Sequence, residues 1–201
     1  MKVKNLHLLL PRTERGTWYR AVQWQFLSTP LNTAHTKSTA SRFNEGNNQF
    51  EILYFAFDHT TALYEVQAML GSPLYGVQLP NPYKAWAIVN VDVFLQEVID
   101  LTEVANQQQI ETTAQELTGD WRGYGLRSRT TPVNHPVGIA PTQELGVELF
   151  KVSGFEGFMT LSARVPTSRI LAVFPETIRQ GAGRSQLVFR DHVGNVVASI
   201  P

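Results

Sequence analysis

The sequence predicts an α+β fold, a curved mixed β-sheet core with surrounding helices. Three observations carry this. β-rich runs and helix-patterned segments are mixed along the chain without the strict alternation of a doubly wound sheet. Three β-rich runs close the sequence after its last long helical pattern. With 201 residues, 43% apolar and 17% charged, the chain suits one domain, residues 1–201, and is long enough to bury a real core.

Taken in order, residues 28–48 are rich in Ser, Thr and Asn and read as a long ordered loop or two short strands. Phe50 to Phe57 is a buried strand. Asp58 to Leu70 follows as a helix, N-capped by Asp58 or Thr60 and ended by Gly71 and Pro73. Lys84 to Val93 is a second strand, and Asp92 caps a short helix through Ile99. Residues 102–118 are helical in composition, and 119–141 form an irregular loop of functional length. Thr142, after Pro141, N-caps a helix that runs to Val152 and stops at Gly154. The closing β-rich runs are Phe155 to Leu161, Arg169 to Phe174 and Gln186 to Phe189, with Val193 to Ala198 pairing back through a Gly194-Asn195 turn.

Charge excludes some functions. The 17 basic and 17 acidic side chains cancel, so no global field draws the protein to nucleic acid or a membrane. The distribution is uneven: residues 1–50 carry seven Lys/Arg against two Asp/Glu, residues 51–150 four against twelve, and residues 151–201 six against three. A fold that joins the two ends makes a locally basic site, although such clustering also arises on solvated faces. Without cysteine there is no disulfide, thiol nucleophile or thiolate metal site, which fits a reducing compartment. The apolar patch at Leu8 to Leu10 is too short for a signal peptide or a membrane span, so a cytoplasmic location is expected.

The common nucleotide, metalloprotease and hydrolase motifs are missing. His7, His35, His59, His135 and His192 are scattered, so no metal site is expected. On the expected helix 58–70, Ala62, Leu63, Val66, Met69 and Leu70 form one apolar arc. Glu65 stands at its rim, as a solvated or paired carboxylate or as a functional one. Arg20 in TWYRAV and Arg42 in ASRFN adjoin aromatic residues. Such arginines either clamp a phosphate bidentately or lie along a core built from Trp18, Tyr19 and Phe43. Tyr54 in ILYFA is a core tyrosine or a ring offered to a flat heterocycle.

The order WYR, SRFN, ILYFA and AL-x-E resembles the RES domain, the toxin half of RES–Xre toxin–antitoxin pairs, named for an arginine, a glutamate and a serine. GDW at 119–121, PTQELG at 141–146 and GFEGFMTLSAR at 154–164 resemble its later landmarks and make Ser162 the family serine, with Ser153 and Ser168 as competitors. Two departures stand out. Thr39-Ala40-Ser41 precedes Arg42 where the family usually has a glycine, and TLSAR replaces a commoner proline-serine form.

The resemblance implies an ADP-ribosyltransferase-like fold and a toxin-like enzyme that degrades NAD⁺ at the nicotinamide–ribose bond, by hydrolysis or phosphorolysis. In that reading Glu65, Arg42 and Ser162 are catalytic. Arg20, Tyr54 and Arg42 bind the substrate, and Arg122, Arg127 and Arg164 can hold a second anion such as inorganic phosphate. NAD⁺ is a substrate, so no cofactor is implied. An Xre-like antitoxin is the implied partner. ADP-ribosyl transfer to a protein target is the alternative, followed by a non-catalytic binding module of the same fold.

Overall fold

Alternation of β-branched and polar residues persists from Trp86 well past Val93: Val89, Val91, Val93 and Leu95 are buried, and the intervening Asn90 and Asp92 are exposed. The result is one long strand, β5 (Trp86–Asp100), in a computed structural model that describes residues 1–47, 49–70, 79–80, 85–125, 138–181 and 184–201. The expected helix from Asp92 to Ile99 does not form: the period of two holds through Leu95, and beyond it pairing with β-partners on both sides carries the strand on to Asp100. The start expected at Lys84 lies outside the described residues.

β5 pairs along most of its length with β1 (Arg12–Gln23), antiparallel, from Arg12↔Val98 to Gln23↔Trp86. β1 was not expected as a strand, since its first half is mostly exposed and carries no apolar alternation. It also meets β2 (Leu53–Ala56) at Tyr19↔Ala56. Next along the chain come α1 (His59–Glu65) and a two-residue ladder of β3 (Met69–Leu70) with β4 (Leu79–Pro80). After β5 follow α2 (Val104–Gln109), α3 (Ala114–Thr118), α4 (Arg122–Gly125) and α5 (Pro141–Lys151). The chain finishes with β6 (Gly157–Leu161), β7 (Arg169–Val173), α6 (Pro175–Gln180), β8 (Gln186–Arg190) and β9 (Val196–Ile200).

The strand order is β1-β2-β7-β6-β5-β8-β9, and the β1–β5 pairing closes the first five into a barrel. β5 and β6 run parallel and the other main-sheet pairs antiparallel, so the sheet is mixed, as expected, and it curves to full closure. At one end Arg12 Nη1 lies 2.8 Å from Asp100 Oδ2 and ties the start of β1 to the end of β5.

Two large buried clusters hold the sheet, and a smaller one of Ala21, Ala56, Ala62 and Ile170 lies between the sheet and α1. Of the two, one gathers Trp18, Leu53, Phe55, Val91, Leu95, Met159 and Leu171. The other packs Ile52, Ile99, Phe158 and Phe174 against Leu117, Leu145 and Leu149 of α3 and α5. Burying each such side chain stabilises the fold by about 1.5–3 kcal/mol.

Helix ends depart from expectation for local reasons. The helix expected over 102–118 is broken in two: Glu111 takes φ 50°, and Thr113 caps α3 by accepting from Glu116 N at 3.2 Å. α5 starts one residue earlier than expected, because Pro141 occupies the first helical position and Ala140, not Thr142, is the N-cap. α6 was not anticipated; it too begins on a proline. α1 ends at Glu65 rather than Leu70. Ala68 N–H bonds to Leu63 O at 2.9 Å and Gln67 N–H to Tyr64 O at 3.0 Å, with Gln67 left-handed at φ 57°. This closure normally uses glycine, so the sequence carried no stop signal there, and Met69 leaves the helix for β3.

α5 packs so closely on residues 41–44 that a Cβ at Gly146 would stand 1.9 Å from Phe43 O. Gly146→Ala is therefore expected to cost at least about 1–3 kcal/mol through overpacking. Urea titration reads this as a lower midpoint at unchanged slope; an unchanged midpoint would show that this contact yields freely.

Candidate active site: an arginine-lined cleft with one carboxylate

A cleft of about 780 Å³ opens where β1, β2, α1 and the 29–43 segment meet. That volume suits a small-molecule ligand. Arg20, Arg42, Tyr54 and Glu65, separated by up to 45 positions in sequence, line it together with Trp86, Trp121, Arg122 and Arg164.

Arg20 shares its face of β1 with core residues Trp18 and Val22, two positions away on either side. Its Nη1 donates to Tyr54 O at 3.1 Å, and its buried Nε has no hydrogen-bond partner. Burial brings its pKa down from the usual guanidinium range to about 10. Arg42 lies in the turn 41–44, closed by a bridge between Ser41 and Asn44. Its Nε is likewise buried and unpartnered. Burial lowers its pKa, Glu65 opposes that shift, and Arg164 and Arg122 add to it. Phe43, next in the chain, is a core residue, so the aromatic beside Arg42 packs inward while the arginine serves the cleft.

Tyr54 has its ring in the cleft wall and its hydroxyl committed: it meets Ser41 Oγ at 2.8 Å and accepts from Phe43 N at 3.3 Å. Burial pushes its pKa up to about 12. The phenol therefore staples β2 to the turn that carries Arg42.

Glu65 ends α1, where the helix dipole disfavours a carboxylate by a few tenths to about 1 kcal/mol. What holds it is Ser162, whose Oγ donates to Glu65 Oε1 at 2.5 Å. Ser162 is fully buried, and the same oxygen accepts from Val165 N at 2.9 Å and Arg164 N at 3.1 Å. The hydroxyl thus belongs to the 162–165 turn and to Glu65. No ion pair within 4.0 Å reaches Glu65 among the described residues. One unpaired carboxylate thus shares the cleft with Arg20, Arg42, Arg122 and Arg164.

The competing serines stand elsewhere. Ser153 is exposed in the turn after α5. Ser168 donates to Asp58 Oδ2 at 2.8 Å, while Asp58 caps α1 by accepting from Thr61 N at 2.8 Å. Both groups border a smaller depression of about 410 Å³ and are occupied with each other. Arg127 lies outside the described residues. Sequence reasoning missed the cleft roles of Trp86 and Trp121; the latter stood in view within GDW.

Such a fold and cleft define a class: a closed α+β barrel protein with an arginine-bearing site that, among the described residues, has one carboxylate in its lining. The family model of the RES domain matches residues 17–190, and the chain belongs to that family. No curated protein matches the sequence. Among solved structures, the crystal structure of the M. tuberculosis MbcT–MbcA toxin–antitoxin complex contains a similar chain. The TM-score is 0.62 at 14% identity, over 94% of this chain and 88% of that one, a likeness of fold.

Ser162→Ala removes one acceptor from two backbone N–H groups and one donor from Glu65. It is expected to lower stability by about 1–3 kcal/mol, the cost of stranded buried polar groups. A denaturation midpoint equal to that of the parent would refute the tether.

Proposed function

We propose that the protein is the toxin of a toxin–antitoxin pair and cleaves NAD⁺ at the nicotinamide–ribose bond. The observation that carries this is Glu65, an unpaired carboxylate held by Ser162 in a cleft that it shares with Arg20, Arg42, Arg122 and Arg164. A ligand matching that arrangement is anionic over most of its length and develops positive charge at one point. A dinucleotide has this pattern: its diphosphate is negative, and the ribose carbon becomes cationic as nicotinamide leaves. Arg20 and Arg42 bind the diphosphate, and Glu65 stabilises the developing cation from a fixed position. Tyr54 and Trp86 provide flat wall for a ring, and Ser162 acts as the group that positions Glu65. An ADP-ribosyltransferase-like relationship of the fold fits this chemistry.

Arg122 and Arg164 are exposed near Arg42 and suit a second anion. They favour free-nucleotide products, formed by water or inorganic phosphate, over transfer to a protein side chain. The antitoxin, an Xre-like helical protein acting with the toxin in the cytoplasm, is proposed to cover the cleft mouth. Phe26 lines the cleft, and both Phe26 and its neighbour Trp24 are more than half exposed.

Two outcomes are expected. Glu65→Gln keeps the shape and the bond to Ser162 while removing the charge, and NAD⁺ consumption should fall by about 10²-fold or more. A folded variant that turns over NAD⁺ at the parent rate removes Glu65 from the chemistry. With NAD⁺ labelled in its adenylate half, label is expected in ADP-ribose or, when phosphate is added, in its 1″-phosphate. Label found mainly on protein establishes transfer instead, and NAD⁺ left intact by the folded, inhibitor-free protein ends the enzyme reading.

A further inference from the structure

Arg42 sits on a four-residue turn, where a side chain ordinarily has freedom, so what fixes that turn bears on binding. β2 holds it from one side through the Tyr54 hydroxyl. From the other side α5 reaches it with Gln143, which is only 7% exposed. Gln143 Nε2 donates to Ser41 O at 3.0 Å and to Asn44 O at 3.2 Å, the two carbonyls that bracket Arg42 and Phe43. Its Oε1 accepts from Ala140 N at 3.1 Å. Both amide protons and the amide oxygen are therefore in use, and the side chain has no spare rotamer. One turn further along α5, the bare Cα of Gly146 lets the Phe43 carbonyl come into direct contact.

We propose that Gln143 is a positioning residue that aims the Arg42 guanidinium at the ligand's anionic group by gripping the backbone on either side of it. This rests on the reading of Arg42 as a diphosphate clamp. Two donors from a single amide fix both the place of the turn and its rotation, which neither the Tyr54 staple nor the Gly146 contact does alone. The rigidity matters because Arg42 Nε is already buried without a partner. A guanidinium held partly desolvated binds an anion without first shedding water or losing rotational freedom. A purely structural glutamine would leave ligand affinity of the folded protein unchanged.

The test is a double-mutant cycle read by calorimetry, with ADP as a diphosphate probe that has no scissile bond. Gln143→Met keeps length and volume and removes both donors. It is expected to weaken ADP binding by about tenfold in the parent, within the range of coupled contacting residues. In an Arg42→Ala background the same change should alter affinity by less than about twofold, because the group it acts through is gone. Equal losses in both backgrounds, or unchanged affinity in the parent, overturn the proposal. If Gln143→Met does not fold, Gln143→Asn, whose amide is one carbon short of the two carbonyls, takes its place in the cycle with the same expectations. A parent that binds ADP and shows the coupling yet leaves NAD⁺ intact refutes the cleavage reading and upholds the role of Gln143. A parent that does not bind ADP overturns the clamp and this proposal together.

Discussion

The pairing of β1 with β5 is the constraint on which the site depends. Eleven register pairs run from Arg12↔Val98 to Gln23↔Trp86 and close an otherwise open sheet into a barrel. Closure removes two sheet edges and their unpaired backbone groups. It also brings Arg20, near the chain start, beside β2 and α1, so that residues far apart in sequence share one cleft. The contacts span more than sixty positions, and the loop-closure entropy they cost is offset by the apolar rows of Val89 to Leu95 and Trp18 that they bury.

Against that stable frame, the cleft holds groups in states a fold would not choose for stability. Two guanidinium nitrogens are buried without partners. One carboxylate stands at the unfavourable end of a helix. Each lowers stability, and two of the three are held by named neighbours: Glu65 by Ser162, and the Arg42 turn by Gln143 and Tyr54. Conflicts between local preference and position that are clamped in this way mark sites maintained for binding or chemistry.

The parts of this arrangement were unequally legible in the sequence. The apolar runs at 50–57, 155–161, 169–174 and 186–189 announced β2, β6, β7 and β8, because buried strands are written in consecutive apolar residues. β1 was silent, since half of it faces solvent and draws its order from β5. Asp92 read as a cap because caps are recognised by residue type, and only the continuing alternation around it identifies a strand. Arg20, Arg42, Tyr54 and Glu65 were visible as residue types in order, and the cleft does gather them. Which atoms they spend on one another was not visible: the Tyr54 hydroxyl serves a backbone turn and the Ser162 hydroxyl serves Glu65. Gln143 lay in plain sight inside PTQELG, but a glutamine three residues into a helix reads as a capping residue, which it also is.

The use of arginine at position 20 has a consequence for control. Even after burial its pKa stays at about 10, so the side chain keeps its proton throughout the physiological range. A lysine begins lower and yields its proton more readily when buried. The positive charge that Arg20 itself gives the cleft is therefore kept across that range. Whatever modulates that charge acts by covering the side chain or by pairing with it, and not by removing its proton.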